Sequence, residues 1–296
     1  MIVPPRIKKG DTIGMAAPSA LATEQWAMPI AQALESMGYR VKFARNMFAS
    51  SWGYAASPEE RAADINELIR DESVRMIFFT GGEGADDIVL LLDYEAAKAD
   101  PKLWLSYSDG TSILNPVWSK AGISVLYGQT PALFPDMTDF DRGHFERFTQ
   151  GFPTEHVANS EWRCLTPGVA QGTLIGGYLF NFIFLTLMGR IPLDEGCKYV
   201  LFIEDHEKFF KIEAESCLIS RLEQCGIMEH VTGLLFGHYS DPVNEQLLER
   251  LRRVGERWGI PVAYCDDFGH GVNHAILPIG VTATLDTEKH MLSYQW

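Results

Sequence analysis

Apolar residues along the chain follow two alternating rhythms, and their succession predicts strands followed by helices. Residues 12–17 form a short apolar run that ends at Pro18-Ser19, as a buried strand ends in a turn. A helical rhythm over 23–37 stops at Gly38, and a second strand is predicted over 39–44. Ser57-Pro58-Glu59-Glu60 is a helix start: Ser57 caps, Pro58 suits the first helical position, and Glu60 closes a capping box. Ala62, Ile65, Leu68 and Ile69 then give one buried face. Residues 74–80 form a continuous apolar strand that runs into Gly81-Gly82-Glu83-Gly84, followed by a helical run containing Leu90, Leu91 and Leu92. A strand over 102–107, a helix to about Lys120 and a strand over 124–128 complete the series. Buried strands alternating with helices predict a mainly parallel sheet covered on both faces.

Residues 133–170 break the rhythm, with Asp136, Asp139, Asp141, Pro153 and Pro167 as punctuation. The expected organisation is an N-terminal α/β domain over 1–150, a linker over 151–164 and a C-terminal domain over 165–296. In the second half the pattern predicts strands over 172–177, 199–203, 231–236 and 261–265. It also predicts helices over 212–224 and 242–258, and a hairpin over 282–294 around Thr287-Glu288.

Composition narrows the classes. The 296 residues are 46% hydrophobic and 22% charged, as in globular proteins. With 25 Lys+Arg against 39 Asp+Glu the formal charge is −14, which disfavours general nucleic-acid binding and leaves no polybasic membrane patch. The longest apolar stretch, 179–188, is interrupted by Asn181 and Thr186 and falls short of the roughly 20 residues of a membrane span. No charged segment leads into an apolar one near Met1, so a cytoplasmic protein is expected. Five cysteines at irregular spacing include no CxxC, and reduced, mostly buried thiols are expected.

Four segments carry candidate chemistry. Ser106-Tyr107-Ser108-Asp109-Gly110 resembles a nucleophile elbow whose first glycine is serine; a Ser-Asp helix cap reads the same way. Gly81-Gly82-Glu83-Gly84 lies between a strand and a helix, where backbone N–H groups can approach a substrate oxygen; a tight turn is the plainer reading. It matches neither nucleotide-binding glycine motif. Glu204-Asp205-His206-Glu207 closes an apolar strand and could orient a histidine, bind a metal or form a solvated loop. In Gly269-His270-Gly271-Val272-Asn273-His274, the flanking glycines argue against a helical metal pair and favour His270 as a general base. A serine, a carboxylate and a histidine at strand ends are the parts a serine hydrolase needs.

Taken together, these motifs resemble the LD-carboxypeptidase family of serine peptidases, which includes the microcin-immunity peptidases. The resemblance rests on Lys9-Gly10-Asp11-Thr12-Ile13 with Ala17-Pro18-Ser19, Gly81-Gly82-x-Gly84, Tyr107-Ser108-Asp109-x-Thr111, Phe202-Ile203-Glu204-Asp205, and Gly269-His270-Gly271 with Leu277-Pro278-Ile279-Gly280, in that order along nearly the whole chain. It implies a Ser108–Glu204–His270 triad with oxyanion donors at the amides of Gly82 and Asp109. The implied fold is an N-terminal α/β domain resembling glutamine amidotransferases plus a smaller C-terminal α/β domain. It further implies no metal or other cofactor, a cytoplasmic homodimer, and a small peptide or peptidyl-nucleotide substrate. Ser106, Glu83 and Tyr178 depart from the family pattern near the expected substrate region, as does Glu213-Ala214-Glu215, where many members carry an arginine. Glu83 and Tyr178 are accordingly candidate substrate-binding residues, with Glu83 suited to an amine. The activity implied is hydrolysis of an amide near a peptide C-terminus, of a murein peptide or of an antibiotic peptidyl or aminoacyl nucleotide. A non-catalytic binding protein, and a metal-dependent hydrolase using Asp205, His206 and His270, are the readings from other classes.

Overall fold

The computed structural model describes residues 1–53 and 55–296. They form two compact units, Met1–Gly151 and Phe152–Trp296.

The first unit contains β1 (Thr12–Ala16), α1 (Glu24–Ser36), β2 (Arg40–Phe43), α2 (Pro58–Arg70), β3 (Val74–Phe79), α3 (Tyr94–Ala99), β4 (Leu103–Ser106), α4 (Thr111–Ala121), β5 (Val125–Tyr127) and α5 (Asp139–Gln150). Its strands lie in the order β5-β4-β3-β1-β2, every pair parallel. Ile13, Met15, Ile77, Phe79, Leu103 and Leu105 have no more than trace exposure, the apolar occupancy of a sheet covered on both faces. The start of α2 has the expected capping box, with Ser57 and Glu60 each satisfying the other's backbone N–H.

Two segments differ from the sequence pattern. The run around Leu90–Leu92 is not a helix: a 3-10 turn, Ala85–Ile88, precedes it, Leu90 and Leu91 are exposed, and the helix begins only at Tyr94, capped by Asp93. Three leucines in succession cannot share one helical face, so the run gave no amphipathic signal. Conversely, part of the segment expected to be irregular is α5. Its N-cap Thr138 accepts the Asp141 N–H, and it buries Asp141, His144, Phe145 and Phe148 at helical spacing.

The second unit contains β6 (Arg163–Thr166), β7 (Val169–Tyr178), α6 (Leu179–Leu187), β8 (Tyr199–Glu204), α7 (Ile212–Gln224), β9 (Val231–His238), α8 (Glu245–Trp258), β10 (Val262–Gly269), β11 (Leu277–Ile279), β12 (Thr282–Asp286) and β13 (Met291–Gln295). Its sheet runs β13-β12-β7-β8-β9-β10-β6. The four central strands are parallel, and β6, β12 and β13 are antiparallel additions at the edges. Central β8 is buried along its length and delivers Glu204 at its carboxyl end, where open α/β sheets place their ligands.

Among the described residues no helix is long and apolar enough to cross a membrane. All five cysteines are free thiols, but the expected burial holds only for Cys265: Cys164 and Cys217 are exposed.

Candidate active site

Ser108 follows β4 and opens a single 3-10 turn, Ser108–Gly110, that leads directly into α4. Its φ is +58°, and His290 is the one other non-glycine described residue in that region. A left-handed conformation costs a residue with a Cβ on the order of 1–3 kcal/mol and persists only where surrounding contacts impose it. Here the Ser108 N–H donates to the Tyr127 hydroxyl at 3.0 Å, and the Gly110 N–H donates to the Tyr107 carbonyl at 3.0 Å. Ser106, where the family pattern has glycine, turns its hydroxyl into the sheet and donates to the Phe79 carbonyl at 3.0 Å. It fits because residue 110 is glycine: a Cβ there would lie 2.3 Å from Ser106 Oγ.

The glycine loop is fastened to this turn. Asp109 Oδ2 accepts the Ala85 N–H at 2.8 Å, and a Cβ on Gly81 would stand 3.4 Å from Ser108 Cβ. The buried guanidinium of Arg61 donates to the carbonyls of Pro18 (2.5 Å), Ala56 (3.0 Å) and Gly84 (2.8 Å), and pairs with Asp87 at 2.8 Å. Sequence reading missed Arg61. The available signal was its position on the α2 face shared by Ile65 and Leu68, where a solvated arginine does not belong. Gly82 and Glu83 are exposed at the loop tip.

In the second unit, Glu204 is fully buried and its Oε2 lies 2.7 Å from His270 Nδ1. With Nδ1–H donated to the carboxylate, Nε2 of His270 is the proton acceptor. Gly269 makes the contact possible: its φ is +106°, and a Cβ there would fall 3.1 Å from both Cβ and Oε2 of Glu204. Burial works to lower the proton affinity of His270, but the charge and hydrogen bond of Glu204 outweigh it, and its pKa rises above the ordinary imidazole value. The rings of Tyr178 and Phe209 pack at 5.4 Å and 5.1 Å from the imidazole. Burial, then the charges of Asp205 and Glu204, keep the Tyr178 hydroxyl protonated.

Asp205 and His206 each make one local hydrogen bond to backbone. Asp205 Oδ1 accepts the His206 N–H at 2.7 Å, and His206 Nδ1 accepts the Lys208 N–H at 3.0 Å. Among the described residues no group of three His, Cys, Asp or Glu side chains is arranged to hold a metal ion. Burial together with His238 and Lys208 holds His206 below its ordinary pKa, neutral near pH 7.

The comparisons with known proteins agree with one another. Residues 13–128 match the model of the LD-carboxypeptidase N-terminal domain, and residues 171–285 match that of the LD-carboxypeptidase C-terminal domain. A Bacillus subtilis protein named "Probable murein peptide carboxypeptidase" is 27% identical, over 97% of this chain and 92% of its own. The microcin C7 self-immunity protein MccF of Escherichia coli is 25% identical, over 96% and 93%. An MccF-like protein from Bacillus anthracis superposes with a TM-score of 0.91 at 22% identity, covering 99% of both chains. An MccF structure solved in complex with aspartyl sulfamoyl adenosine superposes at 0.84 and 22% identity, covering 100% of this chain and 99% of that one.

Proposed function

The chain belongs to the LD-carboxypeptidase family of peptidases, and from that premise we propose that it is a serine peptidase with Ser108 as nucleophile, His270 as base and Glu204 as the carboxylate that orients the base. The observation that carries this reading is the buried 2.7 Å contact of His270 Nδ1 with Glu204, which leaves Nε2 to take a proton. The left-handed turn that presents Ser108 at the start of α4 supports it. In the proposed reaction Ser108 Oγ attacks the amide carbonyl as His270 Nε2 takes its proton. The amides of Gly82 and Asp109 receive the developing oxyanion. His270 then gives the proton to the leaving amine, and water attacks the acyl-enzyme by the same path to release the acid and restore Ser108.

The preferred substrate is a murein peptide, cut between an L-centre and a terminal D-alanine. A second reading, an aminoacyl or peptidyl nucleotide, is favoured by the aminoacyl sulfamoyl nucleoside bound to the MccF structure. Glu83, exposed on the glycine loop, would contact a substrate amine, and Tyr178 would pack beside the scissile region. The same reading takes the enzyme to be a homodimer, for which the exposed Phe180, Phe184, Leu187 and Met188 of the α6 region offer apolar surface.

Mass-spectrometric product analysis tests the substrate. Wild type and Ser108→Ala would each be given a murein tetrapeptide and an aminoacyl sulfamoyl adenosine. Release of D-alanine by wild type alone is the expected result. Cleavage of the nucleoside alone would move the enzyme to the second reading, and binding of either without turnover would replace catalysis by a ligand-binding role.

A further inference from the structure

Glu215 lies in the first turns of α7 with its side chain turned into the protein, fully buried, and neither of its carboxyl oxygens meets a donor. The polar group it touches is Asp205, also fully buried, whose Oδ2 likewise has no donor. Three carboxyl oxygens therefore gather with no cation and no N–H among them. Two ionised carboxylates in contact in an apolar interior oppose each other and lose their hydration, a cost that is relieved when one binds a proton. That proton turns one oxygen into a donor, satisfies its neighbour, and leaves the pair with a single negative charge.

We propose that Glu215 holds a proton shared with Asp205, and that this pair is a positioning element that fixes the end of β8 and limits the negative charge acting on His270. The inference deepens the serine peptidase reading and rests on it for its catalytic meaning. Asp205 is the charged partner, because the His206 N–H donates to its Oδ1 at 2.7 Å, whereas Glu215 has no donor besides the shared proton. Burial first, and then the neighbouring carboxylate, raise the proton affinity of both groups. The ionisable groups around the pair are Tyr178 at the end of β7, Glu204 on β8, His206 after it, Tyr239 after β9, His270 after β10, and Glu207, Lys208 and Glu213 on the approach to α7 and in its first turn. Of these only His206, His270 and Lys208 can be cationic, and the lowered pKa of His206 keeps it neutral near pH 7. Loss of the shared proton adds a second negative charge near His270 and favours the imidazolium, which cannot accept a proton from serine.

The test compares wild type with Glu215→Gln, which keeps a donor toward Asp205 and fixes the pair at one negative charge. Infrared difference spectra should show a protonated carboxylic acid band in wild type that is lost in Glu215→Gln. NMR titration of His270 should show an inflection above neutral pH in wild type, when the pair ionises, that is absent from the variant. The alkaline limb of kcat/KM should change with it. If the wild type lacks the acid band, or if the band and inflection survive in Glu215→Gln, the proposal is wrong. Should the variant not fold, the pH dependence of the wild-type band decides alone. The spectroscopic readouts need no substrate: an inactive protein that shows them contradicts the peptidase reading and not the pair, and an active one that lacks them does the reverse.

Discussion

The two units hold their candidate catalytic residues by different physical means. Around Ser108 the work is done by the backbone: a left-handed residue, a glycine at 110 that leaves room for Ser106, and a loop held by Asp109 and Arg61. Around His270 it is done by charge in a buried setting: Glu204, Asp205 and Glu215 have no exposure, and Glu204 first, then Asp205, raise the proton affinity of His270. A backbone site is sensitive to shape and little affected by pH. A site of buried carboxylates is sensitive to every added or removed charge, because solvent screens it weakly.

This contrast orders the expected effects. The largest is for Ser108→Ala, which should lower kcat/KM by about 10⁴-fold or more while the fold is retained, as measured by steady-state kinetics and circular dichroism. Glu204→Gln should cost on the order of 10³–10⁴-fold, since the imidazole loses its orienting anion. It should also move the acidic limb of the pH profile to lower pH, because Glu204 is what raises the proton affinity of His270. For stability the sign is opposite to that for activity. The raised His270 pKa contributes stability that is full below the ordinary imidazole value of 6.5 and is lost as pH rises through the folded-state value. Activity instead grows through that same window as the base becomes neutral.

A smaller and different effect is expected for Arg61→Met. It strips charge-assisted donors from three loop carbonyls and from Asp87, and should lower unfolding stability by about 2–4 kcal/mol in a denaturant titration. The pH profile should keep its shape, because Glu204, Asp205 and Lys208, the charges that set the proton affinity of His270, are unchanged. The smallest effect is for Glu83→Gln. This exposed carboxylate should alter KM by only about 2–5-fold for a substrate with a free amine, as exposed ion pairs contribute little, and not at all for a neutral one. KM values unchanged by Glu83→Gln for both substrates would remove Glu83 from the substrate site.

How far the sequence could be read follows the same division. The strand–helix alternation of the first unit, the capping box at Ser57 and the turn at Ser108 depend on residues adjacent in the chain, so local patterns reveal them. The helix over Asp139–Gln150 was hidden by Gly143 and by aspartates that resemble loop punctuation, although Thr138, the acidic first turn and the spacing of His144, Phe145 and Phe148 carry the signal. Glu204 and His270 stand out as candidates, but their 2.7 Å contact joins residues 66 apart and is set by strand order, which no local pattern encodes. Glu215 stands out in the sequence as part of a departure from the family pattern at a helix start, where a solvated carboxylate is the ordinary expectation. Its burial against Asp205 is a property of how α7 packs in the second unit.

The most direct test of the central claim is a double-mutant cycle on kcat/KM with Ser108→Ala, His270→Ala and the double variant. If the serine and the imidazole act as one catalytic unit, the double variant should be about as slow as either single variant. Losses that multiply would show that the two residues act independently and would contradict the account.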